Sequence, residues 1–456
     1  MTVASIDAFD RIHVVGAGGS GMAPLAKLLA GMGKTVTGSD LKPGHRLHSL
    51  GDLGIESWVG HHPQLAARAD LVVASSAVPE RDPELSAAAA AGRTVWRRPE
   101  LLGALTHRHP AIGYTGTHGK TTSTGLAVTA LRGIGLDPTF VVGGELLDLN
   151  TAAHVGDLDV FLLEADEAFG TFRHLGMRGL LVTNIEPDHL DYYGNVAALE
   201  EAFALVANRT EGPVLGCIDD AGVRRLAGRA PLVGYGVSEG ATWRISDVVD
   251  RRGGVGFLLT GPSGPVPVDV PRPGLHMARN AAGVLALLSE LGYPTGDMAA
   301  SLASFGGVRR RFEVRARVAG ITVVDDYAHH PTEVAATISA GQRDGEGRVW
   351  AVFQPHRYSR TSELAPRFGE PLAAADEIVV TDVYPAGEPP EPGVTGRLVA
   401  EAVAAAGGSV EYVPSLHDVP AHVGPKVREG DLVLLLGAGD INSITDDLVA
   451  QIGRRS

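Results

Sequence analysis

The run Gly113-Tyr114-Thr115-Gly116-Thr117-His118-Gly119-Lys120-Thr121-Thr122 closes on Gly-Lys-Thr just before a helical stretch. In a phosphate-binding loop of this kind, backbone N–H groups cradle phosphates. Lys120 reaches the β/γ-phosphates and the Thr121 hydroxyl binds Mg²⁺. Tyr114 stands where the strict pattern has glycine, so this is a variant loop. Lysine usage adds to the reading. The chain has five lysines, and Lys120 is the only one between Lys42 and Lys426. Basic positions otherwise go to arginine, so a lysine kept here points to a need for a compact point charge.

A second glycine loop follows the apolar run Ile12–Val15. Gly16, Gly18 and Gly21 fit G-x-G-x-x-G, and Asp40 lies where that fingerprint has a ribose-binding acid. The ligand is a dinucleotide or another pyrophosphate, held by backbone N–H groups at a helix N-terminus. Three further sets of polar residues follow apolar runs. Glu164-Ala165-Asp166-Glu167 offers hard oxygen ligands for Mg²⁺, with a helix-capping cluster as the plainer alternative. Pro187-Asp188-His189 presents His189, as a second metal ligand or as a structural histidine. Arg309-Arg310-Arg311 can hold a transferring phosphate or form a solvated turn. Asp325 to Pro331, Gln354 to Thr361 and Gly437 to Asp440 are polar loops of the kind that carry sites.

These residues need strand ends to position them, and the sequence supplies them. Ile12–Val15, Leu71–Ala74, Val160–Leu163, Leu180–Thr183, Val349–Phe353, Ile378–Thr381 and Leu432–Leu436 read as buried strands between Ala/Leu-rich segments. That rhythm predicts an α/β protein with parallel sheets and ligands at the carboxyl ends of strands. From Ala230 to Pro273 the chain is rich in Gly, Pro and Val, which predicts antiparallel strands. Ala87–Ala91 reads as helix. Three domains are expected: a Rossmann-like domain over 1–107, a central phosphate-loop ATPase-like α/β domain with a small antiparallel part over 108–311, and a Rossmann-like domain over 312–456.

Composition narrows the class. The 456 residues carry a formal charge of -14, from 39 basic and 53 acidic side chains, and 44% are hydrophobic. An acidic chain is poorly suited to broad nucleic-acid binding. The single cysteine, Cys217, excludes an intrachain disulfide and a cysteine-rich metal site. No secretory signal is read in Met1 to Arg11 and no apolar run reaches membrane-spanning length, so a cytoplasmic protein without membrane insertion is expected.

At these residues the chain resembles the Mur ligase family, over nearly its whole length. Gly116-Thr117-His118-Gly119-Lys120-Thr121-Thr122 carries the family likeness. His13 with Gly18-Gly19-Ser20-Gly21-Met22, Asp325 to Val334, and Phe353 to Thr361 resemble its alanine-adding branch. The resemblance implies ATP and Mg²⁺ as cofactors and UDP-N-acetylmuramate and L-alanine as substrates, in peptidoglycan precursor synthesis. A monomer or weak homo-oligomer is expected. Gly18, Gly19, Ser20, Gly21, Met22, Asp40, Ser75 and Ser76 would hold UDP, so the first loop would serve a UDP pyrophosphate. Gly116 to Thr122, Asn280 and Arg310 would hold ATP, with Asn280 near the adenine. Thr121, Glu164 and His189 would bind metal. His329, His330, Arg357 and Arg360 would serve the amino-acid side. Lys120, Glu164, His189, Arg310 and His329 would form the catalytic set. Two departures stand out: Ala168-Phe169 where the family has Ser-Asp, and Asp82-Pro83 where Asn-Pro is common. No lysine lies between Lys120 and Lys426, so the carbamylated lysine of other branches has no counterpart. A sister ligase with another amine or a peptide, and a non-catalytic nucleotide-binding regulator, are the alternatives.

Overall fold

The computed structural model describes residues 5–109, 111–344 and 347–454, the side chains of Asp191 and Asp344 excepted. Its strands form three sheets. The first is wholly parallel, in the order Glu56–Val59, Thr35–Asp40, Arg11–Val15, Leu71–Ala74, Thr94–Arg97. The order steps outward both ways from Arg11–Val15, so the glycine loop after Val15 opens at the topological switch point, where such sheets bind ligands.

The second sheet has ten strands. Its middle is parallel and runs Val214–Cys217, Met177–Val182, Ala111–Thr115, Leu158–Glu164 and Pro138–Leu146. Ala111–Thr115 is buried throughout, as a strand covered on both faces must be. Parallel direction gathers carboxyl ends on one edge. The phosphate loop, Glu164 and Thr183 therefore leave the sheet side by side. The glycine-rich stretch departs from its expectation in part. Val233–Gly236 pairs parallel with both Val214–Cys217 and Trp243–Arg251. Beyond it, Trp243–Arg251, Gly254–Gly261 and Gly264–Val270 are joined by two-residue connections, which only antiparallel neighbours allow. Thr151–His154 also runs antiparallel, at the opposite edge.

The third sheet has the order Glu313–Val318, Ile321–Asp326, Leu432–Leu436, Val349–Phe353, Glu377–Val380, Val410–Tyr412. It is parallel except for its first strand. That edge strand escapes the sequence reading because its burial is patchy. Apolar clusters cover both faces, one around Phe353 and Phe368, the other around Trp350 and Leu435.

The chain forms two compact units. One runs up to Asp247 and adds Phe257–Asp269 and Arg279–Gly306. The other comprises Val248–Gly256, Val270–Ala278 and the chain from Gly307 onward. The first two sheets belong mainly to the first unit, whose main apolar cluster draws on both. Among the described residues, no helix is long and apolar enough to cross a membrane.

Candidate active site

The phosphate loop leaves Thr115 and is laced to the neighbouring strand end. The Thr117 N–H donates to the Asn184 carbonyl at 3.2 Å, and the His118 N–H to Asn184 Oδ1 at 2.9 Å. The Thr183 hydroxyl donates to the His118 carbonyl at 2.6 Å. Gly116 (φ +127°) and Gly119 (φ +85°) hold backbone angles that other residues rarely adopt. A Cβ on Gly116 would strike Thr183 Oγ1, and one on Gly119 would lie 2.8 Å from Asn280 Oδ1. Asn280 is thus packed against the loop itself. Gly119 caps the helix Lys120–Gly133. The first N–H groups of a helix have no intrahelical acceptor and face an anion site. Thr121 and Thr122 are buried in that first turn.

Lys120 curls over the loop. Its Nζ donates to the Gly116 carbonyl at 2.7 Å and to the two carboxylate oxygens of Glu167 at 3.0 and 2.9 Å, with Asp166 Oδ1 at 3.7 Å. Burial disfavours the lysine charge, but Glu167, Asp166 and Glu164 outweigh it and raise its pKa, so the ammonium stays protonated. Glu167 is buried, and burial pushes its carboxyl above the ordinary value against the pull of Lys120. Glu164 accepts from the Gly143 N–H at 2.5 Å. A Cβ on Gly143 would come within 2.7 Å of that carboxylate, so the glycine makes room for it. His189 sits at φ +54°, with Nε2 3.8 Å from Asp188 Oδ2. Lys120, Thr121, Glu164 and His189 thus stand at three adjacent strand ends. Glu167, Thr183 and Asn184 belong to the same constellation, although the sequence reading gave them no settled role.

At the first glycine loop, Gly16 and Ala17 donate to the Ser39 carbonyl at 2.8 Å each. Asp40 accepts from the Gly18 N–H at 3.0 Å and the Lys42 N–H at 3.1 Å. Ser20 and Ser76 are exposed, Ser75 half-buried and Met22 buried. Ser75 packs under Gly16, and a Cβ on Gly21 would lie 3.0 Å from Arg98 Nε. Among the described residues that nitrogen is buried without a hydrogen-bond partner, so Arg98 joins this loop although its sequence neighbours gave no sign of it. His13 is buried in mid-strand, away from the loop's exposed edge. Its ring nitrogens meet Thr37 Oγ1 at 2.8 Å and Glu84 Oε1 at 3.0 Å. Asp82 caps the helix Pro83–Ala90, which absorbs the Asp82-Pro83 departure.

The second unit gathers its own set. His329 Nδ1 lies 2.9 Å from the Tyr327 carbonyl, and Glu333 Oε2 accepts from the N–H groups of His329 and His330 at 3.0 and 3.2 Å. His330 is fully buried. His356 stacks on Tyr384 and meets His329 edge-on at 5.8 Å. Burial, then His329, Arg360 and Arg357, push the His356 pKa down to about 3, so it is neutral near pH 7. The Arg357 guanidinium donates to Glu388 at 2.6 Å. Arg310, at φ +59°, spends its guanidinium on the Gly437 and Gly439 carbonyls at 2.6 and 3.1 Å and on Asp325 at 3.4 Å. Asp326 is pushed up to about 6 by burial. His356 and Asp326 stand in loops that the sequence marks as polar, while Glu388 joins this set only through the fold.

A lysine-tipped phosphate loop with carboxylates at neighbouring ends of parallel strands defines a nucleotide-binding protein of the α/β class. The chain belongs to the Mur ligase family. Residues 11–110 match the Mur ligase catalytic domain, 115–288 the Mur ligase middle domain, and 310–439 the Mur ligase glutamate ligase domain. It is 42% identical to the UDP-N-acetylmuramate–L-alanine ligase of Cutibacterium acnes, over 97% of this chain and 96% of that one. It is also 42% identical to the ligase of the same name from Acidithiobacillus ferrooxidans, over 95% and 96%. The crystal structure of UDP-N-acetylmuramate-alanine ligase MurC from Thermotoga maritima superposes with a TM-score of 0.85 at 28% identity, covering 98% of this chain and all of that one.

Proposed function

We propose that this chain uses ATP to join L-alanine to the carboxylate of UDP-N-acetylmuramate, in the cytoplasmic synthesis of peptidoglycan precursors. The observation that carries the ATP-dependent part is the charged Lys120, held in a helix-capping loop against the buried Glu167 carboxylate. The choice of substrates rests on the near full-length identity to ligases of that name. The division of labour follows residues 1–107 for the UDP moiety, 108–311 for ATP and 312–456 for the amino acid.

A carboxylate is a poor electrophile, so its oxygen first attacks the γ-phosphorus to give an acyl phosphate and ADP. The alanine amine then attacks the acyl carbon, and phosphate leaves with the oxygen that the carboxylate contributed. Lys120 and Arg310 stabilise charge on the transferring phosphoryl group. Arg310 would exchange one of its carbonyl partners for phosphate. His329 is the group assigned to the amine proton, and Arg357 and Arg360 to the alanine carboxylate. Thr121 and Glu164 offer the hard oxygens that Mg²⁺ prefers, and His189 is the third residue assigned to the ion. The ion would offset charge on the β/γ-phosphates.

With the purified protein, phosphate release should require UDP-N-acetylmuramate and L-alanine together, and the product should be heavier by one alanyl unit. Release only with another amine or a peptide would move the substrate. No release in any combination would favour a regulator.

Glu167 occupies the place around Lys120 that phosphate oxygens would take. Replacing Glu167 by Gln keeps its shape and removes the competing charge. We expect ATP to bind about threefold to tenfold more tightly to Glu167→Gln by calorimetric titration, a gain on the order of 1 kcal/mol. Unchanged or weaker ATP binding would mean that Glu167 does not compete with nucleotide.

A further inference from the structure

We propose that Phe169 and Tyr192 form an aromatic platform on which the sugar ring of the UDP-linked substrate stacks. The inference rests on the function proposed above and names the part of the substrate that this edge of the site recognises. Phe169 is 61% exposed and Tyr192 47%. Their rings meet edge-to-face at 6.1 Å and 74°. Phe169 holds φ +54° and ψ 22°, a left-handed conformation unfavourable for an L-residue with a bulky side chain. The turn is closed by the Gly170 N–H donating to the Glu167 carbonyl at 2.9 Å, and it leaves the ring turned to solvent rather than into a core. Gly170 follows at φ +65°, and a Cβ there would lie 2.7 Å from the Tyr192 hydroxyl. The glycine therefore lets Tyr192 cross the turn.

The platform is tied to the reacting centre. Phe169 follows Glu167, the partner of Lys120, by two residues. Tyr192 follows His189 by three, and its ring meets that of Tyr193 at 4.9 Å. The Tyr193 hydroxyl donates to the Glu167 carbonyl at 2.5 Å. Both aromatics thus rise from the strand ends that carry Glu164 and His189. The acceptor carboxylate has to reach the γ-phosphate beside Lys120. In UDP-N-acetylmuramate that carboxylate hangs from the pyranose ring by a short lactyl ether, so the sugar is the next part of the substrate past the reacting atoms. Uracil lies at the far end, beyond the pyrophosphate. A pyranose presents a face of C–H bonds, which an aromatic ring covers well because its own face is apolar and electron-rich. The family pattern that the chain resembles has an acid where this chain carries Phe169.

The test is calorimetric titration of the full chain with UDP-N-acetylmuramate, with UDP alone and with ATP, for wild type, Phe169→Ala and Phe169→Tyr. Replacing a side chain this exposed leaves the cores intact. Phe169→Ala should weaken UDP-N-acetylmuramate binding about fivefold to tenfold, the scale of a single stacking contact. UDP and ATP affinities should stay within about twofold, which is about 0.4 kcal/mol. Phe169→Tyr should match wild type. Equal affinity of wild type and Phe169→Ala for the UDP-sugar would overturn the proposal. So would an equal loss for UDP alone, which would place uracil on the platform, or an equal loss for ATP. Wild-type binding of the UDP-sugar without turnover would remove the ligase reading and leave the stacking result standing. Wild type that binds no UDP-sugar would remove both.

Discussion

Replacing Lys120 by Ala is expected to lower kcat/KM for ATP-driven amide formation about a thousandfold, the loss seen when a preorganised charge is removed from a transition state. The magnitude follows from position. The ammonium is one of a few charges at the phosphate loop, it is held by two backbone carbonyls and Glu167, and it stays protonated. No other lysine is near in sequence to substitute. The fold should survive. Burial already pushes the Glu167 carboxyl upward, so without Lys120 it takes up a proton rather than remaining a buried bare charge. Lys120→Arg should restore little, because a planar fork does not replace a point charge in a tight loop. Initial rates paired with circular dichroism check this. A folded Lys120→Ala protein within tenfold of the wild-type rate would contradict the assignment.

The largest effect on stability is expected at Glu84. This buried carboxylate accepts from His13 Nε2 and the His62 N–H at 3.0 Å each, and from the Ser39 hydroxyl at 2.9 Å. A carboxylate only accepts, so His13 Nε2 must carry the proton in that bond. Glu84→Ala strands three donors, those of His13 and Ser39 buried, at a cost of about 2–4 kcal/mol. For a domain-sized unit that lowers the first thermal transition by about 5–12 °C. Glu84→Gln keeps an acceptor and should lose less. Burial opposes the Glu84 charge, but the bonds from His13, His62 and Ser39 prevail and hold its pKa below the ordinary 4.5. A depressed carboxyl contributes stability that is fully present above the unfolded value and lost as pH falls through the folded one. The gap between wild type and Glu84→Ala should therefore be constant above about pH 5 and narrow below pH 4.5, as this linkage requires. An unchanged melting curve for Glu84→Ala would show that the network contributes nothing.

What the sequence shows, and what it conceals, follows from range. Strands such as Leu432–Leu436 and Val349–Phe353 are legible because a strand buried on both faces is an unbroken apolar run. The phosphate loop is legible because its glycines and lysine are contiguous. Glu84 meets His13 across 71 residues of sequence, and Glu167 meets Lys120 across 47. Nothing local marks either pair. The edge strand Glu313–Val318 is half-solvated and lacks the apolar signal. Val233–Gly236 looked antiparallel by composition, but pairing direction depends on the connection and not on residue type. His356 stood in a loop already noted for its polarity. Only the fold sets it between Tyr384 and His329.

The most direct test of the account is the ligase assay with ¹⁸O in the carboxylate of UDP-N-acetylmuramate, together with ATP, Mg²⁺ and L-alanine. Mass spectrometry of the released phosphate reads the path of the oxygen. The account predicts phosphate carrying one ¹⁸O and an alanyl product that has lost one, because the carboxylate oxygen leaves with the phosphoryl group. Amide product accompanied by unlabelled phosphate would contradict activation through an acyl phosphate, and with it the role given to Lys120.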